Sequence, residues 1–223
     1  MSSDVGFLTL RFVGPLQSWG TDSQYSRRNT GLMPTRSAVA GMCCAALGLS
    51  RGSEDEREFL NRFASVRMTS VVVPRKAGKK NLQVRRLQDY HTVMNTKTAQ
   101  GATKDCHITY RQYLTDASFG VILEGPKPLL KEIRDALSNP VWGVWLGRKC
   151  CIPAAPVLAG LKETKEGAMT LIIGEQRIES MTRQEEVTEF SEGGDSLTDV
   201  PVSFAVDGRL FSLRRIRTIQ GTS

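Results

Sequence analysis

Two histidines, His91 and His107, are the side chains best suited to acid–base chemistry near neutral pH in this sequence. They flank a polar linker rich in Thr, Lys, Ala and Gly, which separates two runs typical of β-strands, 82–93 and 108–114. If those two strands pair, the histidines could meet. The spacing therefore makes His91 and His107 candidates for a catalytic site.

A metal-free ribonuclease needs a base for the 2′-hydroxyl proton and an acid for the leaving oxygen, and His, Lys and Tyr suffice for that. His91 with Tyr90 and either Lys104 or Lys97 could assemble such a site. A histidine on a strand is more often a hydrogen-bonding or stacking residue. The sequence contains no GxxxxGK[ST] loop, GxSxG elbow or HExxH pair. These patterns favour binding over catalysis.

The same region carries the charge of the protein. Between Arg75 and Arg111 there are nine basic residues and two acidic ones, an excess equal to the formal net charge of the whole chain, +7. Tyr90, Tyr110 and Tyr113 are interleaved with them. Cations that neutralise phosphates, together with rings that stack on bases, are what single-stranded nucleic acid binding requires. The alternative is a solvated, flexible basic loop.

Three further segments carry candidate contacts. The loop after the first strand supplies Gln17, Trp19, Arg27 and Arg28. The alternative for this loop is a tryptophan in the core beside solvated arginines. Arg36 lies in the first turn of a helix that Thr35 can cap. A helix N-terminus with an arginine beside it can bind a phosphate, and the alternative is that Arg36 binds no ligand. Gly147, Arg148 and Lys149 resemble an anion-binding turn.

The hydrophobic patterns predict an α+β fold. Strands are expected at 7–13, 66–73, 117–123 and 156–161, and helices after Pro34, after Ser53 and around 129–137. Without the basic stretch, the order is strand–helix–strand–strand–helix–strand, the ferredoxin-like (RRM-like) βαββαβ unit. We therefore expect three parts: a ferredoxin-like unit at 1–74 and 115–161, an insertion at 75–114 and a C-terminal extension at 162–223. In the extension, an acidic segment precedes a hairpin around Asp207-Gly208.

Composition narrows the class of protein. With 40% hydrophobic and 24% charged residues, the chain is typical of a globular protein, and no apolar run is long enough to span a bilayer. The N-terminus lacks the layout of a signal peptide, so a cytoplasmic location without membrane contact is expected. The five cysteines fit neither a zinc site nor a disulfide framework, and we expect small buried residues. No metal or cofactor is expected.

Five motifs occur here in an order similar to that of the CRISPR-associated Cas-five family, in its type I-E Cascade form: GPLQSWG, PTRS, LQDYHTV, YRQYLTDASF and LGRKCC. The resemblance covers roughly 7–160 and is weak over the last 60 residues. It implies a RAMP-type architecture, with a ferredoxin-like palm, a β-hairpin thumb inserted between its second and third strands and a small C-terminal β region. The basic stretch would be the thumb.

The resemblance also implies a function. Such subunits cap one end of a ribonucleoprotein complex in antiviral defence and hold the 5′ handle of the CRISPR RNA. They contact the first backbone subunit and the large subunit, and target DNA indirectly. The RNA-binding residues that it implies are Gln17, Trp19, Arg27, Arg28, Arg36, Tyr90, His91, Arg111, Tyr113, Gly147, Arg148 and Lys149.

Two other functions stay open at this point. Type I-C relatives of the family cleave precursor RNA with a Tyr, Lys and His set, so a metal-independent endoribonuclease using His91, Tyr90 and Lys104 is the alternative. The I-E form only binds, which makes a non-catalytic subunit the main expectation. A ferredoxin-like protein-interaction module without an RNA role is the third possibility.

Overall fold

The computed structural model of the chain describes residues 4–20, 26–77, 80–82, 84–98 and 100–222. The strands are β1 (Val5–Val13), β2 (Leu16–Gln17), β3 (Arg27–Arg28), β4 (Arg67–Val72), β5 (Arg75–Ala77), β6 (Lys80–Leu82), β7 (Arg85–Lys97), β8 (Thr103–Thr115), β9 (Ser118–Pro126), β10 (Leu158–Lys162), β11 (Arg183–Val187), β12 (Asp195–Ser203) and β13 (Leu210–Ile219). The α-helices are α1 (Arg36–Leu47), α2 (Glu54–Phe63), α3 (Lys127–Ser138) and α4 (Lys165–Ile173).

A seven-stranded antiparallel sheet forms the centre of the molecule, in the order β10-β1-β9-β4-β11-β13-β12. Its longest pairing joins β1 and β9, from Val5 opposite Pro126 to Val13 opposite Ser118. The alternation predicted for β1 is confirmed, because Leu8, Leu10 and Phe12 are fully buried on one face. Burying three large apolar side chains anchors the sheet to the helices.

Helices cover the sheet on both faces. On one face, α1 packs against α3, and α3 also packs on β1. Local signals explain where α1 lies: Thr35 accepts a hydrogen bond from the amide of Ala38, and Gly48 ends the helix at φ 73°. On the other face, Ala168 and Ile173 of α4 form a second cluster with Val71 and Ile122. The fold is therefore mixed α+β, built on antiparallel sheets.

The C-terminal segment contains more structure than its sequence predicts. The expected hairpin is present as β12 and β13, but α4 and β11 were not predicted. The sequence of β11, RQEEV, is charged and reads as a loop. It forms a strand because it pairs with β4 on one side and β13 on the other, which continues the main sheet into the C-terminal segment.

A second sheet stands apart from the first. Its largest part is a long antiparallel hairpin of β7 and β8, paired from Arg85 opposite Thr115 to Lys97 opposite Thr103. The other edge of β8 pairs with β2 and, in parallel, with β3. The loop after β1 is thereby fastened to the base of the hairpin. None of the helices in the described ranges is long and apolar enough to cross a membrane.

Candidate nucleic-acid interface

The outward face of the hairpin base carries a cluster of two rings and a guanidinium. Tyr90 and Tyr110 are cross-strand partners, with ring centroids 5.5 Å apart in an edge-to-face arrangement. The guanidinium carbon of Arg27 lies 5.5 Å from the centroid of the Tyr110 ring, because β3 places Arg27 opposite Tyr110. The two tyrosines are 57% and 37% exposed, so their rings are available to stack on bases.

The histidines lie on the opposite face of the same hairpin. His91 is paired with Thr109 and His107 with Val93, so the two histidines are diagonal neighbours, as the spacing allowed. The Nδ1 atom of His91 is 3.7 Å from the Oδ2 atom of Asp89. In the pairing of β7 with β8, Asp89 stands opposite Arg111. Arg111 itself is half-buried and donates from Nε to Thr109.

This alternation contradicts the set proposed for catalysis. Adjacent strand residues point to opposite faces, so Tyr90 and His91 cannot act on one bond from these positions. Lys104 stands opposite Thr96 in the strand pairing, whereas Tyr90 stands opposite Tyr110. Lys104 is six residues from Tyr110 along β8, a distance of about 20 Å at ~3.4 Å per residue. The structure therefore does not bring together His91, Tyr90 and Lys104, the set that could act if the protein were an endoribonuclease.

The glycine-rich loop at 147–149 packs directly against the loop after β1. Gly147 has φ 99°, and a Cβ there would collide with the carbonyl oxygen of Ser18. The amide of Ser18 donates to the carbonyl of Leu146 at 3.0 Å. Only glycine permits this approach, so the structural requirement for Gly147 is contact between two protein loops.

Arg148 holds the loop to the hairpin. Its Nη1 atom donates to the carbonyl of Gln112 and its Nη2 atom to the carbonyl of Arg28, both at 2.7 Å. Its guanidinium carbon is 4.7 Å from the centroid of the Tyr113 ring. Tyr113 is only 5% exposed, and burial raises the pKa of its phenol. Tyr113 is therefore packed under Arg148, which corrects its prediction as an exposed stacking ring.

Two residues of the first loop are also buried. Gln17 donates from Nε2 to the carbonyls of Phe12 and Ala117, at 3.1 and 2.7 Å. Trp19 is fully buried, with its ring 5.3 Å from that of Phe12 and 6.4 Å from that of Phe119. Their predicted RNA contacts are wrong for these side chains, and the alternative of a core tryptophan is what the structure shows. Arg27 and Arg28 beside them are exposed.

Arg36 is neither a phosphate ligand nor a surface arginine. It is 2% exposed, forms an ion pair with Glu186 and donates from Nη2 to the carbonyls of Phe63 and Ala64 at 2.9 Å. Its backbone amide donates to Asp199, which also accepts from Arg214. The prediction failed because burial of an arginine depends on acids supplied by β11 and β12, which are distant in sequence.

A groove of about 800 Å³ runs along α1, between the glycine-rich loop and the β12–β13 hairpin, and we call it the α1 groove. Its described lining holds five basic side chains and four apolar rings: Arg28, Arg51, Arg148, Lys149, Arg209, Trp142, Trp145, Phe204 and Phe211. Glu56 is the acidic residue of that lining, and it is fully buried. The surface therefore favours a polyanion with planar groups.

Sequence reasoning missed part of this lining. Arg51, Trp142, Arg209 and Phe211 belong to no motif and come from three separate segments. Trp142 stands in the apolar run VWGVW and is 46% exposed. Four arginines lie close together near the C-terminal end of the sequence, Arg209, Arg214, Arg215 and Arg217, but the sequence does not show which face of the protein each one joins.

The cysteines and acidic residues offer no metal site in the described part of the chain. Cys43, Cys44 and Cys151 are buried, as expected, and burial raises the pKa of the Cys44 and Cys151 thiols to about 12. Cys150 is exposed, which corrects the expectation for that residue; its thiol donates to the Tyr113 hydroxyl at 3.6 Å.

Similarity to known proteins agrees with these features. The family model for CRISPR-associated protein (Cas_Cas5) matches residues 7–217. The chain is 28% identical over 210 residues to the CRISPR system Cascade subunit CasD of Escherichia coli (strain K12), covering 89% of this chain and 92% of that protein.

Two solved structures are similar over most of their length. A chain of a CRISPR RNA-guided surveillance complex matches with a TM-score of 0.76 and 30% identity, covering 96% of this chain and 89% of that one. A crystal structure of a Cas protein matches with a TM-score of 0.65 and 29% identity, covering 95% and 93%. The resemblance predicted from five motifs is confirmed: this chain belongs to the CRISPR-associated Cas5 family.

Proposed function

We propose that this chain is a non-catalytic subunit of a type I-E Cascade complex that binds and caps the 5′ handle of the CRISPR RNA. Its relatives include a Cascade subunit and a chain of an RNA-guided surveillance complex. The partners of the protein would then be the CRISPR RNA, the backbone and large subunits and, indirectly, target DNA. The sequence and the fold support this assignment in separate ways.

The architecture fits a RAMP palm with a thumb. The strands β10-β1-β9-β4 stand in the order fourth, first, third and second of a βαββαβ unit, with α1 and α3 as its packed helices. This order supports a ferredoxin-like palm at 1–74 and 115–161. The β7–β8 hairpin lies between the second and third of these strands, which supports a thumb at 75–114. The C-terminal extension is then 162–223.

The observation that carries the proposal is the concentration of cations and rings on one concave surface. The α1 groove, with Arg28, Lys149 and Trp142, opens beside the base of the hairpin, where Arg27 flanks two exposed tyrosines. Cations position a strand through its phosphates, and rings hold unstacked bases. No such surface is required of a module that binds only protein, which disfavours the third possibility.

The endoribonuclease alternative is weaker, because its three proposed side chains do not converge. Incubating the purified protein with its cognate repeat RNA and EDTA tests it directly. We expect no cleavage at a unique position. Specific cutting that disappears in a His91→Ala variant would show that the subunit is an enzyme.

Binding is tested by titrating the full-length protein with the CRISPR RNA at increasing salt. For a single strand, the logarithm of the association constant falls by about 0.7 per phosphate contact for each unit of log salt. We expect Arg28→Ala with Lys149→Ala to weaken binding and flatten that slope. The charge-matched control is Lys131→Ala with Arg134→Ala, two cations of α3 that do not line the groove. Affinity independent of salt, or an equal effect of both variants, would contradict a handle site in the groove.

A further inference from the structure

The end of the α1 groove far from the hairpin forms a surface of its own, which we call the distal groove. It is made by Arg51 just beyond α1, Trp142 after α3, and Phe204, Arg209 and Phe211 around the turn between β12 and β13. None of these residues belongs to the motifs that point to the handle site. Their convergence from three segments is a property of the folded chain.

One wall is fixed by hydrogen bonds to the last turn of α1. The amide of Val141 donates to the carbonyl of Ala46 at 2.9 Å, and that of Trp142 donates to the carbonyl of Ala45 at 3.1 Å. These bonds satisfy carbonyls that a helix end leaves without partners. Gly48, at φ 73°, leaves room for the Val141 side chain, which a Cβ would contact at 2.8 Å. Trp142 is therefore held over the groove by backbone contacts.

The opposite wall is fixed by a buried carboxylate. Glu56 accepts from the amide of Gly52 at 3.0 Å and from the amide of Phe204 at 3.2 Å. The ring of Phe204 packs edge-to-face on that of Phe211, with centroids 6.3 Å apart. The Glu56 carboxylate is fully buried, so the hydrogen bonds that it accepts from these two amides hold the wall in place. Arg51 and Arg209 are exposed and are the cations that line this end of the groove.

The dimensions suit a strand of nucleic acid. The helix α1 has 12 residues and so is about 18 Å long at ~1.5 Å per residue. A stacked strand rises ~3.4 Å per nucleotide, so roughly five nucleotides could lie along the whole α1 groove, of which the distal groove is one end. One wall carries the two cations, Arg51 and Arg209, and both walls carry partly exposed rings, with Trp142 at 46% and Phe211 at 37%. An RNA strand matches this alternation of cations and rings better than a peptide does.

We propose that the distal groove binds the nucleotides that continue past the glycine-rich loop, with Arg51 and Arg209 on phosphates and Trp142 and Phe211 on bases. This inference rests on the proposed function, since it extends the path of the same RNA. The distal groove would be a second RNA-binding surface on this protein. It would accept any base sequence, because stacking and phosphate contacts do not read base edges.

The test measures how the affinity for RNA depends on RNA length, in the wild-type protein and in a variant of the distal groove. Single-stranded RNAs derived from the CRISPR RNA are shortened one nucleotide at a time from each end, and their affinities are measured for the full-length protein and for an Arg51→Ala, Arg209→Ala variant. We expect the variant to bind the longest RNA about tenfold or more weakly, with a salt slope smaller by about 1.4, two phosphates at about 0.7 each. It should bind the shortest RNAs as wild type does.

The control is again Lys131→Ala with Arg134→Ala, which removes the same charge outside the groove. A Trp142→Phe variant should also lose fluorescence quenching by the longest RNA, whereas Trp145→Phe should retain most of it. If the Arg51 and Arg209 variant binds every length as wild type does, the distal groove is not an RNA site, even though the handle site stands. If it loses only association with partner proteins, the surface binds protein. If wild type binds no RNA, both proposals fail.

Discussion

The Nη1 atom of Arg148 donates to the carbonyl oxygen of Gln112 at 2.7 Å, which joins the glycine-rich loop to the strand at the base of the hairpin. A second bond, to the carbonyl of Arg28, brings in the loop after β1. Three segments distant in sequence therefore meet at one guanidinium. Arg148 positions the interface, whereas its neighbour Lys149 is exposed and free to approach a phosphate.

We therefore expect different outcomes for two adjacent substitutions. Arg148→Ala should lower the free energy of unfolding by about 1–3 kcal/mol, since hydrogen bonds from charged groups contribute amounts of that order. Lys149→Ala should change it by less than about 0.5 kcal/mol and reduce only RNA affinity. Urea unfolding and RNA titration of both variants measure this. Equal stability of Arg148→Ala and wild type would mean that the two carbonyl bonds contribute nothing net.

The exposed rings of the hairpin should matter for binding and little for folding. Replacing Tyr90 by Ala removes a ring that is 57% exposed, so the change in stability should stay near 0.5 kcal/mol. If the ring stacks on a base, the free energy of binding the CRISPR RNA should weaken by about 1–3 kcal/mol, which is roughly 5- to 150-fold in affinity. Thr92→Ala, on the same face of β7, is the matched control. An unchanged affinity would remove Tyr90 from the interface.

The buried ion pair of Arg36 and Glu186 should dominate the stability of the C-terminal half. Glu186→Gln leaves Arg36 buried without its anionic partner, and breaking a buried pair in this way costs about 3–5 kcal/mol. Glu124→Gln, which breaks an exposed pair with Arg67, should cost less than about 1 kcal/mol. Urea unfolding distinguishes the two. If the urea midpoints of both variants were similar, the ion pair with Glu186 would not be what offsets the cost of burying the Arg36 charge.

Glu185 gives a prediction about pH. Burial alone would raise the pKa of this carboxyl, but hydrogen bonds from Arg183 and Arg217 outweigh burial and hold the pKa below its ordinary value of 4.5. A carboxyl with a lowered folded-state pKa stabilises the fold at pH above 4.5, and this contribution is lost as the pH falls through the folded-state pKa.

Glu185→Gln should therefore be less stable than wild type at neutral pH, and the difference should shrink as the pH falls below the ordinary pKa of 4.5. Melting temperatures of the two proteins across that range give the measurement. Glu175→Gln, at an exposed position after α4, serves as the control. A constant difference between Glu185→Gln and wild type at all pH values would contradict the assignment of the shift to the charged form.

Local signals made much of the fold predictable. The cap of α1 by Thr35, the start of α2 at Ser53 and the alternation of β1 are each written in a few consecutive residues. The strand β11 was missed because its four polar residues find their partners only in β4 and β13. Pairing across the chain, rather than its own apolar pattern, makes it a strand.

The candidate site was predictable in part for a similar reason. Arg27, Arg28, Tyr90 and Lys149 are exposed, as their motifs suggested. For the others, residue type alone could not distinguish surface from core, because the partner that buries each one is distant in sequence. Glu186, which pairs with Arg36, is 150 residues away.

The pairing of β11 with β4 has a consequence for how the protein is made. Residues 183–187 must leave the ribosome before the edge of β4 and the guanidinium of Arg36 acquire their partners. The turn between β12 and β13, which closes the distal groove, emerges later still. A nascent chain therefore acquires the complete distal groove only after the residues of β12 and β13, 195–219, have been synthesised.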